Sequence, residues 1–510
     1  MNFGKLKALS VALMLLSSWI SVSAYDFGVN GLYYRIVSFD DLTCSVVPGD
    51  KQYSGVIVIP DRVTYNNREL TVTQIDPSAF YMHKNVTSVK IGNSVTVIGS
   101  RAFAECSSLT TVEIGSSVKT IGGSAFFNCD ALVNVSMPNS VVDIQSHAFC
   151  SCGALRKITI PSSVTSIGER AFAGCGFLED ITLGNSLEII GNDTFNGCTN
   201  LEKITIPNSV KTIGDNAFYN CSNLKEISLG SSVEEIGSNA FSSCAITEIV
   251  IPESVKSIGR GAFRACSDLK KLTIEDGETQ LSLDYNYYHI SSSPFEQNVI
   301  EGMFYDCPLE TVYVGRNFDV YSPANMAFKD IETITDAVIG NNVTVMDGNM
   351  FRNCTNLTNL TIGSSVAEIS ESALDGCSNI KEIHTYNQIP PVIKTFNPDC
   401  FSNSTFIDAI VYVPKGSLSV YQNADVWKKF WNLQETETSG IFNVNNERPQ
   451  NIWVENGNII IDKTDGNVTI YNASGEVIRT VNSKSRVEIP VHAKGVYIVK
   501  TKDNTVKVAL

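Results

Sequence analysis

The chain has 510 residues, more than one compact core usually holds, so its length favours several domains or a repeat array. Its formal net charge of −15 argues against nucleic acid or an anionic membrane as the main partner, because both bind basic surfaces. Hydrophobic residues make up 43% of the chain and charged residues 18%, which excludes a disordered protein and is typical of a folded one.

Residues 1–24 have the layout of an export signal. Lys5 and Lys7 supply the positive start, residues 8–16 the apolar stretch, and residues 22–24 the small-residue cleavage site. Serines end the apolar run, which disfavours the alternative of a buried N-terminal helix. Loss of the two lysines leaves 36 basic and 53 acidic residues, a net charge of −17. No later stretch has the roughly 18 apolar residues of a membrane span, so we expect an exported chain with no transmembrane segment.

Phenylalanine recurs every 23 residues through the middle of the chain. One spacing of 22 follows the regular run, the series then continues past an interruption, and Leu374 takes the next place. Its members are Phe80, Phe103, Phe126, Phe149, Phe172, Phe195, Phe218, Phe241, Phe263, Phe304, Phe328 and Phe351. A period of about 20–29 residues is typical of leucine-rich repeats, whose units are too small to bury an apolar face alone. The period therefore predicts a solenoid.

The repeat from Leu201 to Ser222 shows how one coil is built. Inward residues spaced as L-x-x-I-x-I form a short strand, which a Gly or Pro ends. Two more apolar anchors follow, Gly214 bends the chain, and a short helical or 3₁₀ segment carries Ala217 and Phe218. Stacked coils place their strands about 4.8 Å apart in one parallel sheet. We therefore predict a right-handed, mostly β solenoid of about fourteen coils, roughly 65 Å long.

Eleven of the 14 cysteines lie three residues after the phenylalanine position. They are Cys106, Cys129, Cys152, Cys175, Cys198, Cys221, Cys244, Cys266, Cys307, Cys354 and Cys377. Disulfides are the first expectation in an exported chain. Parallel side chains in a ladder, however, keep Cβ atoms near the ~4.8 Å coil spacing rather than the ~3.8 Å of a bridge. We expect reduced cysteines buried with the phenylalanines; the state of Cys44, Cys150 and Cys400, off this column, stays open.

The consensus S-V-x-x-I-G-x-x-A-F-x-x-C-x-x-L-x-x-I-x-I-P closely resembles the BspA-type leucine-rich repeat family, and residues 163–207 run through it almost twice. Residues 53–60 look like the family's opening strands and residues 411–430 like its closing cap. The resemblance implies an N-terminal β cap over 25–74 and repeats with a C-terminal cap over 75–433. Gly or Pro stands where many leucine-rich repeats carry Asn, so the Asn hydrogen-bond ladder of those proteins is not expected.

No catalytic or metal-binding pattern stands out in the sequence. The five histidines are scattered, with no H-E-x-x-H and no Cys/His pair at zinc spacing, and neither a phosphate-binding loop nor a G-x-S-x-G elbow is present. Neighbouring carboxylates such as Glu234 and Glu235 fall on expected solvent positions, which do not separate the pKa values of an acid–base pair. We expect no enzyme, no cofactor and no metal.

Two features are candidates for binding. The first is a column of outward hydroxyl residues at the I-x-I position, Thr159, Thr182, Thr205, Ser228 and Thr273. Cross-strand pairing explains this column better than a ligand does. The second is an insertion of 18 residues at about 275–302, which contains Tyr285, Tyr287, Tyr288, His289 and Phe295. Clustered tyrosines on a loop favour a ligand-binding site, although the same loop is also compatible with aromatics folded onto the solenoid flank.

The chain after the repeats reads as a linker and a separate module. Residues 434–450 are polar, and residues 451–510 contain short alternating strands with turn signals between them, which predicts a small β-sandwich. The segments 468–477 and 494–500 resemble the C-terminal sorting domain of the type IX secretion system of Bacteroidota. This resemblance implies passage across the outer membrane through that machinery and a place at the cell surface or outside the cell. Otherwise the module is a plain β-sandwich and the protein is periplasmic.

BspA-type proteins are associated with adhesion, so the resemblance implies protein partners in the host matrix, on host receptors or on other bacteria. We therefore expect a secreted or cell-surface protein that binds other macromolecules, an adhesin. The alternative is a surface carbohydrate-binding protein for nutrient capture.

Overall fold

A computed structural model describes residues 25–284, 286–289, 298–301, 303–304, 306–319, 327–394 and 400–436, and seven strands between residues 452 and 509. The export signal predicted over 1–24 lies outside the described residues. As the repeat predicts, the chain winds into a parallel β solenoid of about fourteen turns with almost no helix.

The N-terminal cap begins with antiparallel strands and continues directly into the first coils. Its strands are β1 (Phe27–Val29), β2 (Leu32–Ser38), β3 (Thr43–Val47), β4 (Ser54–Ile59), β5 (Arg62–Tyr65) and β6 (Arg68–Ile75). β1, β2 and β3 pair antiparallel, and β3 then pairs parallel with β6. Phe27 closes the apolar end by stacking on Tyr65 and Tyr34, with ring centroids 4.4 and 5.2 Å apart.

Each regular coil contributes two strands. They are β7 (Asn85–Ile91), β8 (Val97–Ile98), β9 (Thr111–Glu113), β10 (Thr120–Ile121), β11 (Asn134–Ser136), β12 (Asp143–Ile144), β13 (Lys157–Thr159), β14 (Ser166–Ile167), β15 (Asp180–Thr182), β16 (Ile189–Ile190), β17 (Lys203–Thr205), β18 (Thr212–Ile213), β19 (Glu226–Ser228), β20 (Glu235–Ile236), β21 (Glu248–Ile251), β22 (Ser257–Ile258), β23 (Lys271–Ile274) and β24 (Ser282–Leu283). Among β7–β24, the odd-numbered strands form, together with β4, what we call the long-strand face. The even-numbered strands of this range form the short-strand face.

The coils continue beyond an inserted hairpin. The remaining elements of the solenoid are β25 (Asn286–His289), β26 (Asn298–Glu301), β27 (Thr311–Val314), β28 (Asp336–Ile339), β29 (Val345–Met346), β30 (Asn359–Ile362), β31 (Glu368–Ile369), β32 (Glu382–Thr385), β33 (Val392–Ile393), α1 (Asn403–Asp408), β34 (Ile410–Pro414), α2 (Leu418–Asn423), a 3₁₀ turn (Trp427–Lys429) and β35 (Asn432–Thr436). β27, β28, β30, β32, β34 and β35 extend the long-strand face, and β29, β31 and β33 extend the short-strand face.

The short-strand face was not predicted from the sequence. The two-residue strands of the short-strand face join with the cap into one continuous sheet as far as β24. Thr212 and Ile213, for example, are in parallel register with Glu235 and Ile236. Two residues are too few to show the period-2 alternation by which strands are recognised in a sequence.

The segment around Ala217 and Phe218 was expected to be helical or 3₁₀, and this is wrong. It is a series of hydrogen-bonded turns in which Asn216 and Asn220 take the left-handed conformation, with φ of 53° and 58°. The N–H groups of Asn216, Phe218 and Asn220 donate to carbonyl oxygens of the next coil at 2.7–2.9 Å. The turns thus form a third ladder between coils, which a helix does not allow because its N–H groups bond internally.

Gly214 is required by a close approach rather than by a bend. A Cβ atom at this position would lie 2.7 Å from the backbone nitrogen of Asn192 and 2.8 Å from the carbonyl carbon of Gly191, in the preceding coil. The φ angle of Gly214 is not positive, so the backbone conformation itself does not require glycine. Glycine therefore lets successive coils stack at this corner.

The phenylalanines form one buried stack along the solenoid. From Phe80 to Phe351 neighbouring ring centroids are 5.0–5.7 Å apart and the rings are within 18° of parallel. The stack passes the insertion without a gap, because Phe263 and Phe304 are direct neighbours at 5.7 Å. The ring of each coil is thus covered on both sides by the rings of its neighbours.

The cysteine column binds each coil to the one before it. All fourteen cysteines are free, and each of the eleven on the column points its Sγ at the carbonyl oxygen of the phenylalanine in the preceding coil, at 3.0–3.4 Å. The thiol is small enough for the core and supplies a weak donor to a buried carbonyl. Cys44, Cys150 and Cys400, whose state the sequence left open, are free as well.

Aromatic residues close the C-terminal end. Trp427 is fully buried, its Nε1 donates to the carbonyl oxygen of Pro391 at 2.9 Å, and the ring of Tyr421 meets it edge-on at 5.2 Å. Phe430 packs edge-on against Phe406 at 4.9 Å. The neighbouring Trp431 does not take part in this cover and is 73% exposed.

The C-terminal module contains two antiparallel sheets. Its strands are β36 (Ile452–Glu455), β37 (Asn458–Ile461), β38 (Gly466–Asn472), β39 (Val477–Ser483), β40 (Val487–Pro490), β41 (Val496–Lys500) and β42 (Thr505–Ala509). The sheet orders are β36-β37-β40 and β39-β38-β41-β42. Residues of both sheets, among them Ile459, Ile470 and Val499, share one buried cluster. The predicted β-sandwich remains a prediction.

Replacement of Phe218 by Ala is expected to lower the free energy of unfolding by about 3–5 kcal/mol, because it leaves a gap between Phe195 and Phe241. Urea unfolding followed by far-UV circular dichroism measures the effect. The adjacent Tyr219 is 39% exposed and provides the matched control, Tyr219→Ala. If the two variants lost equal stability, the stacking of the phenylalanines would not be a main source of stability.

Candidate functional site

The middle coils of the long-strand face present a regular hydroxyl column, which follows Lys90 and Glu113 of the first coils. Thr159 lies opposite Thr182 and Thr205 opposite Ser228 in parallel register, and all four are exposed. Beyond them the column changes, because Val250 takes the next place and Thr273 is only 5% exposed. The hydroxyl column is thus a feature of the middle coils rather than of the whole face.

Ion pairs between adjacent coils flank this column. Arg156 lies 2.7 Å from the Glu179 carboxylate and Lys157 lies 2.6 Å from Asp180, one repeat further on. These side chains are about half exposed or more, so the pairs add little to stability. They place opposite charges side by side next to the hydroxyl column.

The second half of the long-strand face carries aromatic rings among other side chains. Tyr313 is in register with Thr273 and is only 6% exposed. Val338 and Thr361 take the next two positions, and the partly exposed His384 and Tyr412 follow them. The rings of His384 and Tyr412 stack with their centroids 4.5 Å apart, and His384 Nε2 lies 3.1 Å from the Glu382 carboxylate. These residues were not predicted, although the outward place of Tyr313 in V-Y-V and of His384 in I-H-T was a usable signal.

The insertion leaves the solenoid between the two halves. Leu283 stays in register with Ile258, so the short-strand face is intact up to that point. Leu283 and Phe304 are then 21 residues apart, where Ile213 and Phe218 are five apart, so sixteen residues are inserted there and only two before β24. They include the antiparallel hairpin β25–β26.

The predicted binding residues fall on this hairpin. Tyr287, Tyr288 and His289 lie in β25, opposite Ile300, Val299 and Asn298 of β26. Only the backbone of these strands is described. Tyr285 and Phe295 lie outside the described residues, so the proposed grouping of the five side chains remains a prediction.

A buried arginine fixes the coil at the base of the insertion. Arg316 has no exposed surface, and its guanidinium donates to the carbonyl oxygens of Glu253 and Pro252 at 2.6 and 2.8 Å. Burial lowers its pKa, while the carboxylates of Glu275 and Glu253 oppose that shift. The arginine therefore bridges two coils whose usual spacing is interrupted, a role that its position in the sequence did not indicate.

A groove lies on the long-strand face beside this base. It encloses about 400 Å³ and is lined by side chains that include Glu248, Val250, Lys271 and Asp276. Asp276 accepts a hydrogen bond from the Tyr313 hydroxyl at 2.8 Å, and burial followed by this bond raises the pKa of Tyr313. The groove thus combines an aliphatic side chain, carboxylates and a lysine beside the first aromatic residue of the face.

The ionisable groups of the core are suited to packing rather than to catalysis. Burial raises the pKa of Cys175 and Cys221 to about 12, so these thiols stay protonated and are poor nucleophiles and metal ligands. Burial, and then the Glu368 carboxylate, raises the pKa of Asp347 to about 6. Among the described residues, no group of three or more His, Cys, Asp or Glu side chains is placed to hold a metal ion.

The coil architecture, its 23-residue period and its inward ladders define a leucine-rich-repeat solenoid. The sequence pattern of the BspA type leucine rich repeat region matches residues 73–202, 188–299 and 297–424, in six copies. These matches cover more than half of the chain, so the protein belongs to the BspA-type leucine-rich repeat family. No catalytic family is indicated.

Two solved structures are similar to this chain. A leucine-rich repeat protein from Bacteroides ovatus is 26% identical, with a TM-score of 0.53, and the match covers 81% of this chain and 100% of that chain. A leucine rich cell surface protein from Faecalibacterium prausnitzii is 28% identical over 70% of this chain and 94% of that chain, with a TM-score of 0.42. No curated protein matches the chain. In the described part of the chain, no helix has the length and apolar character needed to cross a membrane.

Proposed function

We propose that this protein is exported and acts as an adhesin, binding host or bacterial surface proteins through the long-strand face and the inserted hairpin. The observation that carries the proposal is the change of this face at one place. The outward hydroxyls give way to Val250 and the groove, and the hairpin leaves the solenoid after β24, in the coil of Thr273. A rigid scaffold that carries an inserted loop rich in tyrosine favours recognition of another macromolecule.

Membership of the family supports a protein partner, since proteins built from leucine-rich repeats commonly bind other proteins. The ion pairs that flank the face support it as well. They hold opposite charges in fixed places, and a partner with complementary charges can meet them with little reorganisation. The similar Faecalibacterium prausnitzii protein is described as a cell surface protein, which supports the same location for this chain.

The alternative is the capture of surface carbohydrate for nutrient uptake. The stacked pair of His384 and Tyr412 favours it, because planar rings beside polar groups line many small-ligand sites. In this case soluble oligosaccharides would bind without any protein partner.

Binding by residues 25–510 to immobilised matrix proteins, host-cell membranes, bacterial cells and glycans tests the proposal. Saturable binding to a protein that weakens with added salt is expected, because charges flank the face. Binding to glycans alone would favour the alternative, and a failure to bind any of these surfaces would contradict both functions.

The combined replacement of Tyr285, Tyr287 and Tyr288 by Ala is expected to weaken that binding about tenfold or more without lowering the melting temperature. The physical reason is the loss of large aromatic contacts from a hairpin outside the phenylalanine stack. Surface plasmon resonance and a thermal melt measure the two effects. The control is Tyr81→Ala with Tyr219→Ala, two exposed tyrosines elsewhere. An affinity equal to that of the control would show that the hairpin is not the binding site.

We further propose that residues 451–510 are a sorting domain for type IX secretion. The two antiparallel sheets with a common buried cluster are compatible with an independently folded export module. Deletion of residues 451–510 is expected to leave the protein in the periplasm, as measured by cell fractionation and protease accessibility on intact cells. Surface exposure equal to that of the full chain would contradict the sorting role.

A further inference from the structure

The two ends of the long-strand face are protected very differently. At the N-terminal end, β4 pairs with β7 on one side, and within the described residues no strand pairs with its other edge. At the C-terminal end, β35 is the last strand and likewise has a single neighbour, β34. Both ends therefore expose backbone groups able to pair with a further strand.

The C-terminal edge carries features that oppose strand addition. β35 has the sequence Asn-Leu-Gln-Glu-Thr, so it is mostly polar. The carboxylate of Glu435 is engaged locally, since it accepts the N–H groups of Gly416 and Leu418 at 2.9 and 3.2 Å. Polar and charged residues on an edge strand prevent pairing with other chains.

The N-terminal edge has none of these features. β4 has the sequence Ser-Gly-Val-Ile-Val-Ile, with no charged residue and no proline. Its outward residues Val56 and Val58 are 66% and 56% exposed, whereas Ile57 and Ile59 point into the core. A short uncharged run of β-branched residues at an open edge is the pattern expected of a strand that pairs with another strand.

We propose that β4 pairs antiparallel with β4 of a second copy of this chain. A strand in which Val and Ile alternate is complementary to itself. With Ile57 opposite Ile57 of the other copy, Val56 faces Val58 outside and the isoleucines meet inside. Because the strand carries no charge, this pairing meets no repulsion between like charges. Lys90, the neighbour of Val58 in β7, is itself paired with Glu113 at 3.3 Å.

Further apolar surface lies in the cap at the same end of the chain. Val37, near the end of β2, is 49% exposed, and Phe39, on the connection between β2 and β3, is 73% exposed. One strand pair and a few such side chains bury less than the roughly 1,200 Å² of a stable interface, so the dimer is weak and depends on concentration. The pairing goes beyond the proposed function, and it joins the four-stranded sheets β11-β9-β7-β4 of two copies into one sheet.

Sedimentation velocity of residues 25–510 over a range of concentrations tests this pairing. The chain is expected to form dimers, and Val56→Lys with Val58→Lys is expected to raise the dissociation constant by roughly tenfold or more. The control is Thr159→Lys with Thr182→Lys, at exposed outward positions of the same face but away from the edge. A circular dichroism melt verifies that both double variants are folded.

Amide hydrogen exchange locates the contact. Residues 54–59 are expected to exchange more slowly at high than at low protein concentration in the parent chain, and equally fast at both concentrations in the Val56→Lys, Val58→Lys variant. A monomer at every concentration would overturn the proposal. So would a dimer that survives the two lysines, or one that leaves exchange at residues 54–59 unchanged.

Discussion

Each coil is held to the preceding coil by the contact of a phenylalanine ring with a ring and of a cysteine thiol with a carbonyl oxygen. In the coil of Phe218, the ring stacks on Phe195 at 5.2 Å and the thiol of Cys221 points at the Phe195 carbonyl oxygen at 3.2 Å. These contacts involve adjacent coils only, so the solenoid is built from nearest-neighbour interactions. An interruption of the repeat is tolerated wherever the ladder closes across it, as between Phe263 and Phe304.

In this arrangement, the residues that hold the coils together differ from the residues that are available for binding. The inward residues fix the spacing of the coils, and the outward residues of the same strands are free to vary in chemistry. The long-strand face uses that freedom, since the hydroxyls of its middle coils are followed by His384 and Tyr412 in later coils. The hairpin leaves the solenoid after β24, and the phenylalanine ladder closes across it. Binding by this region therefore requires no change in the core.

The fold was largely predictable because the same spacing of inward apolar residues recurs in each repeat. The short-strand face was missed, since two residues such as Thr212 and Ile213 show no alternation. Arg316 was missed as well, because the two carbonyl groups that it contacts lie 63 and 64 residues away in the sequence. The inserted tyrosines were found as a break in the period, but no repeat fixes where their side chains lie. The period of the sequence thus predicts the solenoid, whereas only the structure shows the places where a coil departs from the repeat.

The most direct test of the coil-on-coil packing is alkylation of the native protein with iodoacetamide, followed by peptide mass spectrometry. Thirteen of the fourteen thiols are buried and one, Cys150, is partly exposed. Fast modification confined to Cys150, with all fourteen thiols modified only in denaturant, is the result that buried ladders predict. Fast modification of Cys175 and Cys221 in the native protein, or disulfides between them and their neighbours, would contradict the packing of the coils.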